Sequence, residues 1–301
     1  MDIIYRYDPY RPILPRQLEN AAAAILALEQ GHSRFSTILA QFRKELVGDH
    51  TTHQVIIPSD PLSIAFTSIG NAPPLQTPFA LVLGCSDARV PIEQIFDQSP
   101  NDLFVIRVAG NVLGVECLGS IDYAVNVLGK SLKLLVVLGH TTCGAVSAAV
   151  DSYLAPKDYA EIAFTHALRS LVDRINVAVR GAATSIERVC GQAIVHHPHY
   201  RSALVEVAVY LNAAVTAFDV NRELKPSRAG SPAVVYGVFD LVAQVVRSRP
   251  SVPSAEPGQD VPIFSPVPRT PDDFADLGVL LAEAAAERWL RASVAPLPLT
   301  K

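Results

Sequence analysis

Two short segments concentrate the residue types that can do chemistry. Cys85-Ser86-Asp87-Ala88-Arg89 follows the apolar run FALVLG, and His140-Thr141-Thr142-Cys143-Gly144 follows LKLLVVLG. Cys85, His140 and Cys143 offer two thiolates and one imidazole, a donor set suited to zinc. Three protein ligands leave one position open, which is the pattern of a catalytic rather than a structural site. Cys143 is expected near a helix N-terminus, which lowers a thiol pKa and favours the thiolate a metal needs. Asp87 and Arg89 are two apart, so on an extended segment they point the same way. A guanidinium beside a carboxylate keeps it ionised and fixes its orientation. Such an anchored carboxylate can accept a hydrogen bond from a water held by a metal.

A lone cysteine at a strand end is ordinarily a small buried hydrophobe. The order C-x-D-x-R and then H-x-x-C, each at a strand end, points to a metal site instead. Cys117 and Cys190 have no comparable neighbours and are expected to pack in the core. His196, His197 and His199 surround Pro198 with no carboxylate or cysteine beside them, which reads as a polar loop. Gly110 and Gly114 match neither standard glycine spacing, so a phosphate loop is excluded.

These groups need a scaffold that brings two distant segments together. Phe79–Gly84, Leu103–Val108 and Leu132–Gly139 are continuous apolar runs, and a helical pattern at Gly119–Leu128 separates the last two. Strands of this kind belong to a parallel sheet covered on both faces. Ligands bind beyond the carboxyl ends of such strands, so both segments should reach one crevice. Ahead of them, Arg16–Gln30 reads as a helix stopped by Gly31, and Arg34–Leu46 as a second. Further helices are expected at about Asp158–Arg180 and Tyr200–Glu223, and Ala233–Val238 as a late strand at the sheet edge. Seven prolines between Pro250 and Pro271 read as a linker. A last helix is expected over Pro271–Ala292, with Thr270 as its cap. Phe274, Leu277, Leu281, Ala284 and Ala285 would share one face of it, with Trp289 at the edge.

The fold class is therefore α/β, a central mostly parallel sheet flanked by helices, with an N-terminal helical arm and a C-terminal helical extension. The expected division is 1–50 for the arm and its helices, 51–247 for the zinc-binding core, and 248–301 for the linker and last helix. The whole chain has 301 residues, with 25 Lys plus Arg against 29 Asp plus Glu and a pI of about 6.1. That balance excludes the basic face of a nucleic-acid binder. Half of the residues are hydrophobic and 18% are charged, which excludes a largely disordered chain. Four cysteines do not make a disulfide framework. No run of 18 apolar residues occurs and the start lacks a secretory pattern, so a cytoplasmic protein without a membrane span is expected.

At the same residues the sequence resembles the β-class carbonic anhydrases. ALEQGHSRF, LQTPFALVLGCSDARVPIEQIFD, LFVIRVAGNV, GSIDYAVNVLG and LLVVLGHTTCGAV carry the likeness, which extends over about Leu26–Leu241. The resemblance implies one zinc per chain on Cys85, His140 and Cys143, with Asp87 and Arg89 as a catalytic dyad. It implies that Gln76, in Gln-x-Pro, reaches the substrate of a neighbouring subunit and that the Gly144 amide helps hold bicarbonate. It also implies a four-stranded parallel core with an added antiparallel strand. The assembly would be a homodimer or higher homo-oligomer embraced by its N-terminal helices. The activity implied is the reversible hydration of carbon dioxide.

Ala88 stands where the commoner motif has Ser. Val82 stands where bicarbonate-inhibited members have Trp, which speaks against that inhibitory site. Two other readings use the same zinc residues: a carbonyl sulfide or carbon disulfide hydrolase, and a weakly active zinc-bearing assembly component. The intact Asp87–Arg89 pair argues against the second. The C-terminal helix should bury its apolar stripe on the protein's own dimer; the rival occupant is a scaffold partner.

Overall fold

The computed structural model describes residues 2–6, 17–46, 54–58, 75–224, 231–250 and 262–290. A short parallel pair, β1 (Asp2–Arg6) and β2 (Gln54–Pro58), joins two stretches that carry no strand expectation. Between them α1 (Ala21–Leu46) is a single helix. It starts five residues later than the sequence suggests, where the Asn20 side chain accepts from the Ala23 amide. It also runs straight through Gly31 rather than stopping there. A Cβ at Gly31 would lie 1.8 Å from the Phe96 carbonyl oxygen, so this glycine permits close packing and is not a cap.

The continuous apolar runs form the strands they suggest: β3 (Ala80–Gly84), β4 (Leu103–Arg107) and β5 (Leu134–His140). The short helix α2 (Ile92–Ile95) follows β3, α3 (Val115–Val127) precedes β5, and α4 (Gly144–Leu154) follows it. One short turn of helix, α5 (Tyr159–Ile162), leads to α6 (His166–Cys190). Thr165 caps α6 by accepting from the Leu168 amide, so the long helix begins later and ends later than Asp158–Arg180. Then come α7 (Tyr200–Glu223), β6 (Ala233–Asp240), β7 (Val245–Arg247), β8 (Ser265–Pro266) and α8 (Pro271–Ala285).

The sheet order is β4-β3-β5-β6-β7, parallel through β6 and antiparallel at β7, with β8 also antiparallel to β6. The four-stranded parallel core is as implied, with two antiparallel additions instead of one. Those additions flank β6, which is therefore interior and not an edge strand. Residue alternation divides the two faces. Val82, Leu134 and Val136 face Ala24 and Leu28 of α1. Leu81, Leu83, Leu135 and Val137 face the layer of α3, α4, α6 and α7.

By length and composition α7 could cross a membrane, although no 18-residue apolar run marks it. In the fold it is a core helix packed against α4, α6, α8, β5 and β6. The proline-rich stretch 251–261 and most of the N-terminal arm lie outside the described residues. Beyond β8, Thr270 and Asp273 form a reciprocal capping box, as Thr270 suggests. The α-helix ends at Ala285 and continues as a π turn through Leu290; the expected end at Ala292 lies outside the described residues. Its apolar stripe packs on α6 and α7 of the same chain, with Leu281 and Ala285 fully buried.

Candidate metal centre

The chain passes from β3 to β4 on one side and then crosses back to β5 on the other. The carboxyl ends of β3 and β5 therefore flank the point where the strand order reverses, which is where open sheets bind ligands. Cys85 leaves β3 and His140 ends β5. Thr142 turns the chain in the left-handed region, at φ 53°, and returns Cys143 to the same point as the residue capping α4. That conformation is costly for a β-branched residue. All three donor atoms lie within 4.8 Å of one another, and all three side chains are buried.

The cluster fits a soft metal. Cys85 Sγ and Cys143 Sγ are 4.0 Å apart and form no disulfide. Two sulfurs at ~2.3 Å from one tetrahedral zinc would stand ~3.8 Å apart. His140 Nδ1 donates to the Thr141 carbonyl at 3.0 Å, which leaves the Nε2 lone pair free. Nε2 is buried with no hydrogen-bond partner. A buried acceptor left without a partner is costly, and a metal ion would satisfy it.

The two thiols divide one proton unequally. The hydrogen bond from Cys143, aided by the neighbouring His140 imidazole and the backbone amides of Asp87 and Gly110, pulls the Cys85 pKa below the usual thiol range. Cys143 is pushed up, first by its bond to Cys85 and then by burial. Amides at the start of α4 do favour its thiolate, as its helix-terminal position suggests, but the adjacent Cys85 outweighs them. Without a metal, the expected low pKa at Cys143 therefore belongs to Cys85.

Asp87 and Arg89 form the expected pair. Asp87 Oδ1 accepts from the Arg89 backbone amide at 2.9 Å and from Nε at 3.0 Å, and Oδ2 accepts from the guanidinium at 2.7 Å. These bonds hold the Asp87 carboxyl well below the usual carboxylate range. Its Oδ2 stands 3.8 Å from His140 Nε2. Gly144 opens α4, and a Cβ there would meet nothing within 4 Å, so its backbone faces open space. Gln76 is exposed ahead of β3, at a distance no described contact bridges to the cluster.

Arg107 went unread in the sequence. At the end of β4 it donates from Nε to the Cys85 carbonyl at 3.0 Å and from its terminal nitrogen to the Asp87 carbonyl at 2.5 Å, bracing the loop that carries both. A cation closing an apolar strand was the available signal. The Gly110 turn, excluded as a phosphate loop, instead aims its amide at Cys85 Sγ from 3.4 Å. Cys117 is buried in the core and Cys190 is half-buried at the end of α6. His196, His197 and His199 stay in a short turn, where His197 Nδ1 accepts from the His199 amide. They join no metal-binding cluster among the described residues.

Residues 80–215 match the family described as carbonic anhydrase. Over 131 residues the chain is 42% identical to carbonic anhydrase 2 of Mycobacterium tuberculosis, covering 44% of this chain and 53% of that protein. It is 43% identical over 118 residues to a carbonic anhydrase of Mycolicibacterium smegmatis, covering 38% and 52%. The chain thus spans about half the length of these curated relatives. Among solved structures, a Coccomyxa β-carbonic anhydrase in complex with acetazolamide aligns at a TM-score of 0.46 and 23% identity, covering 62% of this chain and 76% of that one.

Proposed function

We propose, from the match of residues 80–215 to the carbonic anhydrase family, that this chain is a zinc enzyme interconverting carbon dioxide and bicarbonate. One observation carries the reading. A buried Cys-His-Cys trio with an unpartnered imidazole nitrogen stands 3.8 Å from a carboxylate that an arginine holds ionised.

Cys85, His140 and Cys143 would hold the ion. Zinc, when bound, supplies Lewis acidity that makes water nucleophilic near neutral pH. Asp87 accepts a hydrogen bond from the attacking water and so orients its lone pair toward the substrate carbon. It remains an acceptor at neutral pH because Arg89 keeps its pKa low. Both Asp87 oxygens are engaged by Arg89, which restrains the carboxylate from moving into the metal's open position. Arg107 holds the backbone of that loop in place. At the start of α4, the Gly144 amide and the positive end of the helix suit a bicarbonate oxygen.

Gln76 is exposed and available to a second copy, so the working unit in this reading is a homodimer or larger homo-oligomer, with one zinc per chain, in the cytoplasm. The deciding experiment measures metal content and carbon dioxide hydration on one preparation. About one zinc per chain is expected, with activity lost on chelation and restored by zinc. Full hydration activity in metal-free protein would overturn the assignment.

A further inference from the structure

Asn212 lies in the middle of α7 and is 2% exposed, flanked by the buried Leu211, Ala213 and Ala214. A carboxamide at such a position is unfavourable unless it is hydrogen-bonded. Its Nδ2 donates to the Gly110 carbonyl at 2.8 Å, across 102 positions of sequence. Gly110 sits in the left-handed region at φ 68°, ψ 15°, inside the turn that follows β4. A Cβ there would come within 2.8 Å of Ile175 Cδ1 and 3.1 Å of Ala145 Cβ, so both backbone shape and space require glycine.

Two backbone bonds fix the ends of this turn, from the Val108 amide to Gly84 and from the Asn111 amide to Val108. Among the described residues, the Gly110 carbonyl itself is held by Asn212. The same residue's amide is the one that reaches Cys85 Sγ at 3.4 Å. Only φ and ψ of Gly110 separate that amide from that carbonyl, so a bond fixing the carbonyl also aims the amide. An N–H bonded to a thiolate withdraws charge from sulfur and sets how strongly it donates to a metal.

We propose that Asn212 is a positioning residue for the metal centre, locking the Gly110 turn so that its amide stays on the Cys85 thiolate. The proposal rests on the metal-site reading above. Asn212→Leu and Asn212→Ala both remove the donor, and the first keeps nearly the native side-chain volume. Thr216→Val, one turn further along α7 and also buried, is the control for perturbing the helix interior.

In metal-free protein, the Gly110 amide should exchange with solvent at least about tenfold faster in both Asn212 variants and at the native rate in Thr216→Val, read by NMR. In cobalt-substituted protein, both should displace the thiolate-to-cobalt absorption band and weaken cobalt binding about tenfold. Native exchange, or a native cobalt spectrum and affinity in both Asn212 variants, would overturn the proposal. A native chain that develops no thiolate-to-cobalt band would refute the metal-site reading. The exchange measurement, made without metal, then decides whether Asn212 locks the turn.

Discussion

His32 and Val246 are 214 positions apart, yet the Val246 amide donates to His32 Nε2 at 2.9 Å. The other ring nitrogen donates to the Ile95 carbonyl at 3.0 Å. One buried imidazole thus ties α1 both to β7 and to α2, the helix that follows the Cys85 loop. The Val246 bond requires the neutral ring, because a proton on Nε2 would face the Val246 N–H, whereas Nδ1–H donates to Ile95 in either state.

The first expected outcome follows from that tie. Burial, partly offset by the Ile95 bond, pushes the His32 pKa below its ordinary 6.5. The unfolded chain then binds its proton at a higher pH than the folded chain. This contribution to stability is complete above about pH 6.5 and declines as pH falls below it. His32→Gln should be destabilised by about 1–3 kcal/mol at pH 8. The gap to the native chain should narrow at pH 5, measured by chemical denaturation. An equal gap at both pH values would show that His32 does not titrate with folding.

The metal ligands give a second. Cys85→Ala, His140→Ala and Cys143→Ala should each lose most of the zinc, because two remaining donors hold the ion far more weakly than three. Metal analysis after dialysis against a weak chelator is the measurement. Full occupancy in Cys143→Ala would remove that residue from the ligand set.

What the sequence disclosed and what it hid have physical causes. The strands β3 and β5 were legible because a run buried on both faces must be apolar throughout, and polar residues at its end then stand out. The Asp87–Arg89 pair was legible because its geometry is local. Gly31 misled because a glycine inside a helical pattern looks the same whether it ends the helix or admits the Phe96 carbonyl. β6 looked like an edge strand because its neighbours β7 and β8 are only three and two residues long. Arg107, His32 and Asn212 act through partners 20 to 214 positions away, and no periodicity reports such contacts.

Asp87 supplies the third. Asp87→Asn keeps the shape but removes the charge, and its amide can donate where an acceptor is required. Zinc content should stay near native while carbon dioxide hydration slows by roughly 10²-fold or more. The low pKa of Asp87 also means that its own titration does not shape the activity profile between pH 5 and 9. Native turnover in Asp87→Asn would leave the carboxylate only a structural partner of Arg89.

The last concerns the clasp that closes the C-terminal segment onto α7. Glu206 is buried on α7 and accepts from Arg288 at 2.9 Å and from the Trp289 indole N–H. Burial pushes the Glu206 pKa up, while Arg288 and Trp289 pull it back. Arg288→Met removes the compensating charge and leaves a buried carboxylate with one donor, at a cost of about 2 kcal/mol. The sign of its pH dependence follows from the raised pKa. Below it Glu206 is protonated and strands no charge; above it the uncompensated carboxylate is exposed to the full desolvation cost. Arg288→Met should therefore lose more thermal stability at pH 8 than at pH 5. Glu206→Gln with Arg288→Met should remove that dependence, since the amide carries no charge at either pH. A chain ended at Arg247 loses the clasp together with α8 and should melt lower still, while keeping its zinc, because the three ligands sit at the ends of β3 and β5 and the start of α4. Equal melting of the native and shortened chains would mean that the C-terminal helix adds nothing to the fold it covers.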